Sequence, residues 1–98
     1  MNNPFLNQRV LIRDHMAGVL IGVLISQEGK QWILQDARKI HYWEKAAAVE
    51  GIVATGSVGT KSRITPSVGL MQGFDAVQII ILPDDAYNQL QTFPDWTP

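Results

Sequence analysis

From Val10 to Ile25 the chain is almost entirely aliphatic and often β-branched, interrupted by Arg13-Asp14-His15 and by Gly18 and Gly22. That composition favours extended structure over helix and predicts two strands. The two glycines supply a bend, or a close backbone approach, of the kind found where a sheet curls. Ser26-Gln27-Glu28-Gly29-Lys30 then carries turn chemistry, with Gly29 free to take positive φ, before Trp32-Ile33-Leu34 resumes the strand pattern, so a hairpin is expected here. A further strand is expected over Ala37 to Trp43, where Ala37, Lys39, His41 and Trp43 alternate with Arg38, Ile40 and Tyr42.

Beyond that point the pattern changes. Three consecutive alanines among the residues Glu44 to Val49 suit one or two turns of helix that stop at Gly51. The Gly-, Ser- and Thr-rich stretch from Gly51 to Arg63 reads as a long loop, and loops of that length in compact domains are usually functional or mobile. Phe74 to Leu82 is the strongest late strand and is ended by Pro83, after which Asp84 or Asp85 can cap a short helix through Leu90. The closing Phe93-Pro-Asp-Trp-Thr-Pro is apolar enough to dock on a neighbour, and equally suits a loose tail. No repeat or linker divides the chain, and 98 residues suit one β-rich domain over 1–98. The expected fold is mainly β: a small Sm/SH3-like barrel or a strongly bent antiparallel sheet with one or two short helices.

Composition adds three constraints. An apolar fraction of 46% is generous for a free monomer of this size, which points to a homo-oligomer. Eight basic against nine acidic residues give a net charge of -1, so the broad positive field that drives nonspecific nucleic-acid binding is missing, and RNA is the weaker partner. The absence of cysteine excludes disulfides, thiolate metal sites and cysteine nucleophiles, and fits a cytoplasmic setting. The start MNNPFLNQR lacks the pattern of a secretory signal, and the apolar stretch Ala17 to Ile25 is too short to span a bilayer, so no membrane association is expected.

Candidate chemistry is sparse. His15 and His41 with Asp14, Asp36 and Glu44 lack the spacing of a helical metal motif. The segments GIVATG and GSVGTKS have the glycines of a phosphate-binding loop and a cation at Lys61, but not the Walker spacing, so a flexible loop and a phosphate cradle both remain open. More informative is the set Arg13, Arg38, Lys39, Lys61 and Arg63 with His15, Tyr42 and Trp43, because guanidinium forks bind phosphate and aromatic faces stack on bases. With Ser57, Thr60 and Ser62 as parts of a covering loop, these residues form the expected ligand-binding set. The alternative is that Tyr42 and Trp43 cover a barrel end while the arginines pair with Asp14 and Asp36. No acid–base pair or nucleophile constellation is visible, so neither an enzyme nor a cofactor is expected.

Two resemblances bear on function. Val10 to Trp43, with its A-G-V-x-x-G-x-L-x-S-x-x-G-K and L-x-D-A-R-K-I-x-x-W runs, resembles a group of small phage and prophage proteins of uncharacterised function. The shorter blocks Ala48–Gly51 and Ala76–Pro83 extend that likeness, while Glu44-Lys45 departs from it where the group usually has a Gly. The run from Gly18 to Ala37 also resembles the first motif of Sm-like barrels, which form rings and bind RNA; the second motif is not recognisable near Ile79 to Asp84. The phage resemblance implies a phage origin but no reaction, and taken with the expected oligomer, the Gly/Ser/Thr loop and the Arg-aromatic set it leaves three classes. One is a phage counter-defence protein in an infected bacterial host that sequesters a nucleotide-derived immune signal without cleaving it. The others are an Sm-like RNA-binding ring and a virion or host-protein interaction module.

Overall fold

The computed structural model describes residues 3–44, 46 and 48–97. Six strands and two helices follow in the order β1 (Arg9–Asp14), β2 (Gly18–Glu28), β3 (Gln31–Tyr42), α1 (Ala48–Thr55), β4 (Arg63–Ile64), β5 (Val68–Gly73), β6 (Ala76–Ile81) and α2 (Asp84–Gln91). All pairings between these strands are antiparallel, in the order β4-β3-β2-β1-β6, with β5 also on β3. The sheet is bent and stays open, so of the two expected shapes the molecule takes the bent antiparallel sheet. Among the described residues no helix is long and apolar enough to cross a membrane.

The long apolar run becomes β1 and β2 because both faces of the sheet are covered there. Alternate residues point to opposite faces, and Val10 and Ile12 join one cluster with Leu20, Leu24, Trp32, Leu34 and Ala37. Leu11 and Ile21 join a second with Ile40, Ile64, Val49, Ile52 and the α2 residues Ala86, Tyr87 and Leu90. Gly22 marks the bend: Ile21 faces Arg38 and Val23 faces Gln35, so Asp36 and Ala37 together oppose the single Gly22, with Asp36 at φ 55. A bulge of this kind raises local twist. Gly29, at φ 57, turns β2 into β3 as the sequence predicts.

β3 is one continuous strand rather than two. Its outer edge carries β5 along Trp32–Ala37 and β4 along Ile40–Tyr42. β5 was not expected from the sequence. It packs so closely that a Cβ on Gly73 would overlap the Trp32 indole.

The helix near the alanines lies later than expected. α1 runs through Gly51 to Thr55, since Val49 and Ile52, three residues apart, both bury against the core. It ends at Gly56, whose φ of 65 and N–H bond to Ile52 O form the stop. A Cβ on Gly56 would run into the α2 backbone at Ala86. The expected segment Glu44 to Val49 includes Lys45 and Ala47, which lie outside the described residues, as does Pro98 at the end of the tail. α2 begins after Pro83 without a side-chain cap, so Asp84 and Asp85 sit inside its first turn, where negative charge suits the helix dipole.

Candidate functional site

Where β3 leaves the sheet, its last residues meet β4 and the 93–97 segment. Tyr42 is the register partner of Arg63. The Arg63 guanidinium lies 5.9 Å from the Tyr42 ring and 5.3 Å from the Trp96 ring. Trp96 in turn stacks on His41, centroid to centroid 5.2 Å and only 8° from parallel. The four side chains make a surface ladder of ring, cation, ring and ring. Cation–π geometry of this kind holds a guanidinium flat while leaving its edge donors free. His41, Tyr42 and Arg63 are exposed, and Trp96 is half-buried.

Of the expected ligand-binding set, the structure brings Tyr42 and Arg63 together. Ser57, Thr60 and Lys61 are exposed on the loop that leads into β4. Trp43 is half-buried against the helix-side core. Arg13 is exposed but lies on β1, beyond β2 from this site, where it donates to Gln78 at 3.2 Å. His15 is exposed in the β1–β2 turn, its N–H bonded to Asp75 O.

One expectation needs correction, and of the two readings left open for the glycine-rich loop the phosphate cradle is disfavoured. Arg38, expected to meet a phosphate, is 1% exposed and has its donors engaged within the chain. Nε donates to Thr65 O at 2.8 Å, Nη1 to Leu90 O and Gln91 O at 2.8 and 3.0 Å, and Nη2 to Ile64 O and Asp95 Oδ1 at 3.4 and 3.0 Å. It thereby caps the C-terminal carbonyls of α2 and ties β4 and the 93–97 segment to β3. Burial pulls its pKa down, and Asp95 opposes that pull.

The glycine-rich loop, likewise, does not present an open phosphate cradle. Gly59 N–H donates to Glu44 O, Lys61 N–H to Glu44 Oε1 and Ser62 N–H to Gly59 O. Buried Ser62 accepts from Glu44 N–H at 3.0 Å. A carboxylate therefore already takes an amide that an anion would need. The carboxylate also accounts for Gly59, where a Cβ would overlap the Glu44 side chain.

Sequence reasoning missed Trp96 and His41 as members of the ladder. The signal available was the apolar Phe93-Pro-Asp-Trp run, but its docking place depends on Arg38, whose burial only the tertiary fold reveals.

Apart from this ladder, Asp14, 5% exposed, accepts four hydrogen bonds: Trp32 Nε1 at 2.7 Å, Ala17 N at 2.8 Å, and Met16 N and Asp75 N at 2.9 Å each. Burial pushes its pKa up, but the four donors outweigh that and hold the carboxyl below its ordinary value. Every lone pair direction is in use, so Asp14 is a structural knot between the β1–β2 turn, β3 and the β5–β6 corner. Among the described residues no group of three His, Asp or Glu side chains could hold a metal ion.

A family model matches residues 7–90, from just before β1 to the last turn of α2. The chain belongs to DUF6948, a domain of unknown function. The matched span of DUF6948 includes His41, Tyr42 and Arg63 and stops short of Trp96. No curated protein matches the chain.

Proposed function

We propose that the protein is a binding module that holds a nucleotide-derived ligand without cleaving it. In the phage setting that the sequence resemblance implies, such binding would sequester an immune signalling molecule inside the infected host. The observation that carries this reading is the Arg63 guanidinium, 5.9 and 5.3 Å from two aromatic ring centroids at the end of the loop that carries exposed Lys61. A base stacks on the Tyr42 or Trp96–His41 faces, and the Arg63 edge and Lys61 meet the phosphates. Ser57 and Thr60 offer hydroxyls from the same loop. Arg38 supports the site from behind rather than touching ligand.

A homo-oligomer belongs to the same reading. β5 and β6 each have one partner strand among the described residues, and Val68, Leu70, Val77 and Ile81 stand exposed on them. Edges of that kind are usually covered.

The test is calorimetric titration with a panel of cyclic di- and trinucleotides and ADP-ribose derivatives, beside a single-stranded RNA. One panel member is expected to bind and to be recovered chemically unchanged. Each charge-assisted contact contributes roughly 1.5–3 kcal/mol, so Arg63→Ala is expected to weaken binding about ten-fold or more while the protein stays folded. Tight RNA binding without small-molecule binding would move the reading to the RNA class, and an altered nucleotide would show an enzyme.

A further inference from the structure

Trp96 reaches the ladder through a short tether. Ile64 and Asp95 form a single parallel bridge, and Trp96 N–H donates to Ile64 O at 2.8 Å. Beside that bridge, of which the Trp96 N–H bond is a part, stands one ion pair, Asp95 Oδ1 to Arg38 Nη2 at 3.0 Å. The partners differ sharply: the Arg38 side chain is 1% exposed and that of Asp95 61%. Arg38 is itself fixed by four backbone carbonyls. The direction in which Asp95 must point is therefore set by the core, and the next residue along the chain is the one that stacks on His41 and lies beside Arg63.

We propose that Asp95 is a positioning residue: through its ion pair with buried Arg38 it holds Trp96 against His41 and Arg63, and so sets the stacking face of the site. The part of this inference that concerns ligand rests on the nucleotide reading above; the part that concerns Trp96 does not. Phe93 stays docked through its packing on the core and its N–H bond to Leu90 O, whereas the residues beyond it are held by a single bridge and by the stack of Trp96 itself, and they fray once the ionic anchor is lost. A frayed Trp96 leaves His41 unstacked and leaves Arg63 with one ring instead of two. The guanidinium keeps its four carbonyl partners, so the sheet and α2 have their own supports.

The direct readout is the ring-current displacement of the His41 ring protons in the carbon–proton spectrum of the ligand-free protein. His41→Gln assigns the signals, and Trp96→Ala gives the unstacked position. Asp95→Ala is expected to move the signals most of the way to that position, and Asp95→Glu, which keeps the carboxylate, to leave most of the displacement in place. If the Asp95→Ala spectrum lacks native dispersion, Asp95→Asn is read in its place, with about half the displacement lost, since it keeps an acceptor oxygen but not the charge.

For whichever cyclic nucleotide or ADP-ribose derivative binds the wild-type protein, Asp95→Ala is expected to weaken affinity about ten-fold, the scale of one base–aromatic stack, with Asp95→Glu near wild type. A His41 displacement unchanged in a folded Asp95→Ala or Asp95→Asn protein overturns the positioning role. A lost displacement with unchanged affinity overturns its link to the site. If nothing in the panel binds wild type, the nucleotide reading falls, while the His41 signals still decide whether Asp95 holds Trp96.

Discussion

Replacing Asp14 with Ala removes the acceptor for four donors at once. The Met16 and Ala17 amides sit in a turn where Met16 is 81% exposed, and water replaces the carboxylate there. Trp32 Nε1 and the Asp75 amide are less fortunate, since Trp32 is 1% exposed and Asp75 N is part-buried. Hydrogen bonds to a charged acceptor contribute roughly 1.5–3 kcal/mol each, so losing these two costs about 3–6 kcal/mol. Against a total of about 5–15 kcal/mol for an ordinary domain, that is a large share. At about 4–8 °C per kcal/mol for a domain of this size, even the lower figure lowers Tm by about 12 °C. Thermal melts followed by circular dichroism at pH 7 measure it, and a drop of less than about 4 °C, the equivalent of 1 kcal/mol, would refute the knot.

The same carboxylate predicts a pH dependence. Its folded pKa lies below the ordinary 3.8, so the unfolded chain takes up the proton first as pH falls. The contribution of Asp14 is fully present above the unfolded value and is lost as pH drops through the folded one. The stability gap between wild type and Asp14→Asn should be flat from neutral pH down to about pH 5 and close below about pH 4. A gap that closes near pH 6 instead would mean that another group carries the effect.

Three further outcomes are expected. At Gly22 a new Cβ would stand 2.8 Å from Gln35 O and 3.3 Å from Leu34 Cβ, both fixed in β3, so Gly22→Val should lower stability by about 1–3 kcal/mol or more; an unchanged Tm would show the bend to be misplaced. Arg38→Ala should cost about 3 kcal/mol or more in denaturant unfolding, from lost packing and five lost hydrogen bonds. A protein of wild-type stability that had lost only ligand would return Arg38 to the ligand-binding set. Light scattering should give a discrete multimer at micromolar concentration, reduced by Leu70→Lys or Val77→Lys on the open edges; a monomer mass throughout would reject self-association.

The first three strands and the last strand and helix are legible because their signals are local. β-branched runs, a Gly at positive φ and a Pro-terminated strand each act over a few residues, and β1, β2, the β2–β3 turn and α2 follow from them. α1 is displaced from its expected place because three alanines in a row outweigh, to the eye, the Val49 and Ile52 spacing that the core uses. β5, Val-Gly-Leu-Met-Gln-Gly, has one β-branched residue and two glycines, so nothing in its composition announces a strand; its place is made by the open edge of β3 and the flat face of Trp32. At the site, Tyr42 and Arg63 are legible as residue types. Arg38 is misread for a physical reason: an arginine in a strand pattern looks like a surface cation until the carbonyls that satisfy it, from α2 and from the stretch around β4, are brought together from more than twenty residues away.

Arg38 also orders events in time. The meander β1–β2–β3 closes through contacts between sequence neighbours, whereas the partners of this guanidinium come from Ile64, Thr65, Leu90, Gln91 and Asp95. A charge cannot give up its hydration before the groups that replace water have arrived. Arg38 therefore leaves water late, after the loops from α1 to α2 have closed, and interactions made on that side of the barrier act on the rate of unfolding more than on the rate of folding. Arg38→Ala is therefore expected to speed unfolding more than it slows folding, so that this guanidinium bears on how long the folded molecule lasts rather than on how fast it forms.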